Sequence, residues 1–300
     1  MRKVLLTGPT GFIGRNSIDI LLSRGFEVHA ISREVPNKQQ EGLFWYQADL
    51  LDIGTVSKLV SEIQPTHMLH FAWYAVPKEY WTSPENIRWV QASLELIHSF
   101  IQYGGKRIVM AGSCAEYDWN YGYCSEEFTP LKPSTLYGTC KHSLQEMLKM
   151  YTDQLHISSA WGRIFFLYGP YEHPSRLVSH VISSLLKNKQ AVCSAGTQIR
   201  DFMYVEDVAS SFVSLLDSTV EGPVNICSGQ PTSIKEVVTQ IGNKIGRGEL
   251  IKFGTELIIT EPPLLIGDNR RLMNEVKWTQ QTDLSKGIDM SIDWWEKQFV

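Results

Sequence analysis

Residues Thr7–Gly14 read "TGPTGFIG" and follow the short apolar run "KVLL" at positions 3–6. Gly8, Gly11 and Gly14 recur at every third position, and "RNSIDILLSRG" behind them has the apolar spacing of a helix. Glycine lacks the Cβ that keeps a backbone away from a pyrophosphate, and a helix N-terminus offers free N–H groups and the positive end of its dipole. A strand, a glycine turn and a helix in that order open a dinucleotide-binding βαβ unit. The spacing is G-x-x-G-x-x-G rather than G-x-G-x-x-G. The plain alternative is a tight strand-to-helix turn with no ligand. Thr10, Phe12 and Ile13 lie in the same turn and join the glycines as candidate cofactor contacts.

The pattern continues outward. "EVHAIS", "THMLHFA", "RIVMAGS" and "SSAWGRIFFLYG" read as strands. "IGTVSKLVSEIQ", "WVQASLELIHSFIQYGG" and the segment from Tyr137 to about Leu155 read as the helices between them. Strands joined by helices of this length imply right-handed crossovers and a doubly wound, Rossmann-type parallel sheet in an α/β fold. Near-continuous apolar strands agree, because helices cover both faces. From Gly169 onward Pro and Gly punctuate "YGPYEHP", "EGPVNICSGQP" and "TEPPLLIGD", and a smaller mixed α/β lobe is expected. The division expected is 1–168 with roughly 198–226 for the dinucleotide-binding domain, and 169–197 with 227–300 for the substrate lobe.

The chain has 300 residues, 43% of them hydrophobic, which fits one large domain or two joined ones. A net charge of −4 gives no reason to expect a nucleic-acid partner. No apolar run is long enough to span a bilayer, and "VLL" is too short for a secretory leader, so a cytoplasmic protein with no membrane partner is expected. Five scattered cysteines suit a reducing compartment and show no metal-ligand spacing; no metal is expected.

An acidic residue at the end of the second strand would hold the ribose hydroxyl of NAD. Ser32 and Arg33 stand there. A hydroxyl and a guanidinium suit a 2′-phosphate, so NADP(H) is favoured over NAD(H). Arg33 is otherwise a solvated loop residue, and the adjacent Glu34 could serve NAD. Asp49 in "ADLLD" is either a contact near the adenine or the N-cap of the helix that follows.

Tyr137 and Lys141 lie four apart at the start of a helix and share a face. A lysine ammonium beside a phenol favours the phenolate and brings it toward use at neutral pH. Ser113, at the end of "RIVMAGS", supplies a hydroxyl where ligands gather in an open parallel sheet.

Taken together, "TGPTGFIG", "ADLLD", "HFA", "GSCAEY", "YGTCK", "RIFFLYGPYEHPSRLV" and "GTQIRDFMYVEDVA" resemble the extended short-chain dehydrogenase/reductases, the NAD(P)-dependent nucleotide-sugar epimerases, dehydratases and ketoreductases. The resemblance spans nearly the whole chain. It implies a nucleotide-sugar substrate and a catalytic Ser113, Tyr137 and Lys141. It places Asp49 and Leu50 toward the adenine, and Phe71, Ala72 and Trp73 beside the cofactor. It places Tyr168, Gly169 and Pro170 along the sugar-nucleotide pocket, with Cys114 and Phe166 near substrate and Arg200 near its diphosphate. Arg176 is a further phosphate candidate, or a solvated helix residue.

The departures narrow the reaction. Dehydratases of this group carry Asp-Glu directly after the hydroxyl residue. Cys114 and Ala115 stand there, so elimination lacks its acid and base. GDP-fucose synthases carry a cysteine where Ala115 stands, with Cys114 one residue early, and a histidine matched by His180 in "SHVI". His180 is a catalytic candidate on that resemblance, or a helix residue that only hydrogen-bonds. The 4-epimerases carry asparagine where Phe166 stands. What remains is a C4 ketoreductase, with an epimerase as the alternative. A homodimer through the helices around Trp89 and Tyr137 is the family expectation.

Overall fold

Val4, Leu5 and Leu6 have no solvent exposure and alternate between two cores, which is what a strand covered on both faces requires. The computed structural model describes residues 2–37, 39–255 and 262–299. Thr260 and Glu261 of "TEPPLLIGD" lie outside the described residues.

The first half runs β1 (Arg2–Thr7), α1 (Gly14–Ser23), β2 (Phe26–Ser32), β3 (Leu43–Gln47), α2 (Ile53–Ile63), β4 (His67–His70), α3 (Glu85–Gln102), β5 (Arg107–Ser113), β6 (Tyr123–Cys124), α4 (Leu136–Leu155), β7 (Ser158–Ile164) and β8 (Phe166–Tyr168). The second runs α5 (Leu177–Leu186), β9 (Ala191–Cys193), β10 (Ile199–Tyr204), α6 (Val205–Asp217), β11 (Gly222–Ile226), β12 (Pro231–Ser233), α7 (Ile234–Ile245), β13 (Ile251–Phe253), β14 (Leu264–Gly267), α8 (Arg270–Asn274) and α9 (Leu284–Gln298).

The large sheet is seven parallel strands in the order β3-β2-β1-β4-β5-β7-β11, a Rossmann-type doubly wound sheet. Val4, Leu6, Val28, Ala30, Val109 and Ala111 face α1 and α6; Leu5, Ile31, Met68, Ile108 and Met110 face α2, α3 and α4. The strand order reverses between β1 and β4, so a crevice opens at their carboxyl ends. The second sheet, β12-β10-β14-β6 with β8 on β10, carries the lobe. Helices α5, α7 and α9 pack around a separate core that includes Val181, Ile182, Val237, Ile241 and Ile292. Among the described residues, no helix is long and apolar enough to cross a membrane.

Three local readings change. "SSAWGRIFFLYG" is two strands. Chain pairing switches at Phe165, so β7 stays in the large sheet while β8 pairs β10. Strand β3, "LFWYQ", was not expected; it closes the outer edge against β2. Segment 199–204 pairs in the smaller sheet through β8, β12 and β14, while its Met203 already packs in the core shared by α1 and α6.

Candidate active site

The glycine turn is built by close contact. Gly8 has φ +67°, and its carbonyl accepts the Gly11 N–H at 3.0 Å. A Cβ on Gly14 would stand 2.1 Å from the Gly8 carbonyl oxygen, so a side chain there is excluded. Helix α1 then starts with no side-chain cap at Ile13; the Arg15 and Asn16 amides donate to the Gly11 and Ile13 carbonyls, and the positive end of the helix dipole points at the turn. The turn therefore fits a dinucleotide pyrophosphate. Arg15 tops it, with its guanidinium donating to the Gly11 carbonyl and 4.0 Å from the Tyr171 ring centre.

A cleft of about 970 Å³ runs from this turn into the lobe. Its wall contains Gly8, Gly11, Phe12, Ile13, Gly14, Phe71, Ala72, Trp73, Ser113, Cys114, Tyr137, Lys141, Phe166, Arg176 and Arg200, so most of the sequence candidates converge. Thr10, Ser32, Arg33, Asp49 and Leu50 are not in that wall. Thr10 Oγ1 lies 3.5 Å from Ser32 Oγ, which puts the end of β2 against the glycine turn. Leu50 is buried in the core. Asp49 is not the helix cap: that is Asp52, whose carboxylate accepts the Thr55 N–H, while Asp49 accepts the Leu51 N–H at 3.0 Å. His180 does not line the cleft; it sits half-buried on α5, beyond the first-turn residues Leu177 and Val178 that do. Tyr168 is buried in the lobe core with its hydroxyl near the Leu284 carbonyl, and Gly169 and Pro170 also lie outside the wall.

At the reacting end, Thr135 caps α4 by accepting the Gly138 N–H at 3.1 Å, which fixes Tyr137 in the first turn. The Tyr137 amide donates to the Trp81 carbonyl at 3.1 Å, and its phenol shares the cleft wall with the Ser113 side chain. Tyr80 and Trp81 meet the phenol ring edge-on, with centroids 4.9 and 5.7 Å away. One helical turn later, buried Lys141 donates to the Ala111 carbonyl at 2.8 Å and rests 3.7 Å from the Trp73 ring centre. Asn86 is fully buried and ties the intervening loop together, accepting from Trp73 Nε1 and donating to the Tyr80 and Ser83 carbonyls.

The electrostatics depart from the sequence expectation. Burial pushes the Tyr137 phenol well above its ordinary value; neighbouring Tyr80 adds to this and the Ser113 side chain opposes it. Burial pushes Lys141 down to about 7, and the Glu116 carboxylate opposes that. Desolvation thus outweighs the expected phenolate-favouring effect of the ammonium. Cys114 is buried and its thiol is pushed up by burial, which makes it an unreactive wall residue.

Three cleft features were not read from the sequence. Trp119 donates to the Cys114 carbonyl at 2.8 Å and meets Trp81 edge-on at 6.0 Å, so two indoles wall the space beside Tyr137. Glu172 lines the cleft with its carboxylate on the Ser179 N–H and hydroxyl; burial pushes it up to about 7. Glu116, behind the wall, anchors a buried polar network. A "YEHPS" segment entering a helix was a visible signal for Glu172, because a carboxylate near a helix start finds free amides.

A glycine-turn sheet with a serine, tyrosine and lysine at one crevice defines a dinucleotide-dependent oxidoreductase-type enzyme. Residues 4–227 match the NAD dependent epimerase/dehydratase family, and the chain belongs to it, within the extended short-chain dehydrogenase/reductases and their nucleotide-sugar enzymes. It is 26% identical over 309 residues to UDP-glucuronic acid decarboxylase 1 of Xenopus tropicalis, covering 99% of this chain and 73% of that one. It is 25% identical to dTDP-6-deoxy-L-talose 4-dehydrogenase (NAD(+)) of Aggregatibacter actinomycetemcomitans, over 79% of this chain and 88% of the relative. The UDP-glucose 4-epimerase of Thermus thermophilus, solved in complex with NAD, superposes with a TM-score of 0.85 at 25% identity, over 98% of this chain and 99% of that one.

Proposed function

We propose that the enzyme is an NADPH-dependent ketoreductase acting at C4 of a nucleotide-activated 4-keto-6-deoxyhexose. When bound, the dinucleotide supplies the hydride. The turn at Gly8, Gly11 and Gly14 and the positive end of the α1 dipole hold its pyrophosphate; Phe71, Ala72 and Trp73 flank it, and Lys141 holds its ribose. Ser113 donates a hydrogen bond to the substrate ketone, and Tyr137 passes its proton to the oxygen as charge develops there.

The observation that carries the reading is that Ser113, Tyr137 and Lys141 line one cleft together with the glycine turn. A serine hydroxyl and a phenol on one wall suit a ketone oxygen that takes a hydrogen bond from the first and a proton from the second as hydride arrives. Two further points support it. Cys114 and Ala115 offer no carboxyl for elimination, and the neighbouring Glu116 is fully buried and engaged with Arg163. A relative is named as a 4-dehydrogenase of a dTDP-6-deoxy sugar. Arg176 and Arg200, both in the cleft wall, suit the substrate diphosphate.

NADP(H) is assigned on Ser32 and Arg33 at the end of β2, with Thr10 alongside. The second reading is an NAD-dependent epimerase, favoured by the Thermus neighbour and its NAD. In that reading His180 has no assigned role, since it stands off the cleft wall. A cytoplasmic homodimer through α3 and α4 completes the proposal; Ile87, Met147 and Met150 are exposed on those helices, and light scattering on the purified enzyme tests it.

The deciding experiment mixes the enzyme with NADPH or NADH and a set of nucleotide 4-keto-6-deoxyhexoses. Reduction is read as loss of reduced-nicotinamide absorbance, one equivalent per alcohol formed. Isomerised sugar with no net cofactor loss, from protein that purifies with NAD, replaces this reading with the epimerase.

A further inference from the structure

The loop "VPKEYWTSP" at positions 76–84 brings Tyr80 and Trp81 to the reacting end of the cleft, and Trp119 arrives there from the turn after β5. Trp81 packs on Tyr80 with ring centroids 4.4 Å apart, and it meets Trp119 edge-on at 6.0 Å and Tyr137 edge-on at 5.7 Å. Polar bonds behind the rings fix them. The Trp81 carbonyl accepts the Tyr137 N–H at 3.1 Å, and the Tyr80 carbonyl accepts from the buried Asn86 side chain at 2.7 Å. Trp119 commits its indole N–H to the Cys114 carbonyl at 2.8 Å.

We propose that Trp81 and Trp119 are specificity-determining residues: together they form an apolar seat for the methyl carbon of a 6-deoxyhexose, and they disfavour a hydroxyl or a carboxylate on that carbon. The seat presupposes the Ser113-Tyr137-Lys141 reading given above.

In a hexopyranose C6 hangs from C5, the ring neighbour of C4. With the C4 oxygen on the Ser113 and Tyr137 hydroxyls, C6 is placed among the groups that adjoin those two residues. Those groups are rings: Tyr80 and Trp81 against Tyr137, and Trp119 against the carbonyl of Cys114, the residue after Ser113. The buried Cys114 thiol and Phe165 continue the same wall. The Ser113 and Tyr137 hydroxyls are committed to the ketone, and the Trp119 N–H to the backbone. A C6 hydroxyl docked here gives up water without a replacement from these groups, whereas a methyl gains contact and loses nothing. A carboxylate fares worse, because an unpaired charge is costlier to desolvate than a hydroxyl. Arg176, 5.5 Å from the Tyr80 ring centre, is the cation that a uronate would recruit, so a uronate is the sharpest competitor. A wall that only stacks on a pyranose face would take all three sugars alike.

The test is calorimetric titration of the enzyme with NADPH present, which cannot react with a sugar alcohol. The probes are 6-deoxyglucose, glucose and glucuronic acid, all carried on one nucleoside diphosphate. That diphosphate is whichever of UDP, dTDP, CDP and GDP binds tightest by itself. The 6-deoxy sugar should bind about 10- to 100-fold tighter than glucose, the range in which an apolar pocket rejects an added hydroxyl, and the uronate should bind weakest. Trp81→Gln and Trp119→Gln should each narrow the gap between 6-deoxyglucose and glucose by weakening the first, while Trp81→Phe keeps a ring and keeps the gap. If a glutamine variant does not fold, Trp81→Leu opens the seat to water and should narrow the gap in the same sense. Glucose bound as tightly as 6-deoxyglucose overturns the proposal, and so does a gap that survives loss of the indoles. A uronate bound as tightly as the 6-deoxy sugar also overturns it and assigns Arg176 to the C6 carboxylate. Sugars that add nothing to the bare diphosphate overturn it as well. Clear discrimination by an enzyme that reduces no 4-keto sugar sinks the reductase reading and upholds the seat; reduction without discrimination does the reverse.

Discussion

The two ends of the cleft are made from different material. The dinucleotide end is backbone: a glycine turn, the N-terminus of α1 and the segment Phe71–Trp73 that follows β4. The reacting end is side chain: Ser113, Tyr137 and Lys141 backed by Glu116, Arg163, Trp161 and Trp73 from three separate segments. The first depends on near neighbours in sequence and tolerates no added atom. The second depends on long-range burial, and its charges are set by what surrounds them.

Substitutions can separate the two. Tyr137→Phe should lower kcat by about 10²–10⁴-fold, the usual contribution of one acid–base group, while leaving the cofactor dissociation constant unchanged. Retained turnover would break the assignment at the reacting end. Gly14→Ala should act in the opposite sense. The clash with the Gly8 carbonyl costs about 1–3 kcal/mol and weakens cofactor binding by about tenfold or more, with the pH dependence of kcat at saturating cofactor unchanged. A shifted pH profile would show that the two ends are not independent.

Arg33→Ala probes the edge of the backbone end. Losing a charged hydrogen bond worth about 1.5–3 kcal/mol should raise the KM for NADPH by about tenfold or more and leave NADH untouched. Equal effects on both cofactors would remove the case for a 2′-phosphate contact.

The smallest effect is on stability. The folded protein holds the Glu172 proton up to about 7, above the ordinary carboxyl value of 4.5. The raised value means that the native state binds this proton more tightly than the unfolded chain does. Its stabilisation is therefore complete below about 4.5 and is lost as pH rises through about 7. In Glu172→Gln that decline should flatten, and the melting temperatures measured at either end of the window should draw together. For a chain of this size each kcal/mol is worth about 2–4 °C. An unchanged pH dependence would mean that another group titrates there.

The same division explains what was legible in the sequence. The glycine turn and the Tyr137–Lys141 spacing are written in residues a few positions apart, and both sit in the cleft wall. The parallel sheet was readable from its apolar runs. Strand β3 was missed because "LFWYQ" is a short edge strand, with Phe44 and Gln47 exposed and Trp45 and Tyr46 half-buried, unlike the fully buried aliphatic runs of the inner strands. The split at Phe165 was missed because β7 and β8 are one apolar stretch; only the arrival of β10 divides them. Glu116 was invisible for a stronger reason. Its partners lie 45 and 47 residues away, and an acid beside "GSCA" reads as surface until Trp161 and Arg163 close over it. His180 and Tyr168 match family motifs but stand off the cleft wall, His180 half-buried on α5 and Tyr168 in the lobe core, because a motif does not record what packs over it.

Trp73 has one more consequence. Its indole lies 3.7 Å from the Lys141 nitrogen, and its own N–H is fixed on Asn86 at 2.8 Å. The ring is therefore held on one side by Asn86 and faces on the other an ammonium that burial pushes down to about 7. Trp73 is thus a built-in optical gauge. The emission difference between the parent and Trp73→Phe, followed across pH, reports the state of Lys141 inside the unlabelled enzyme.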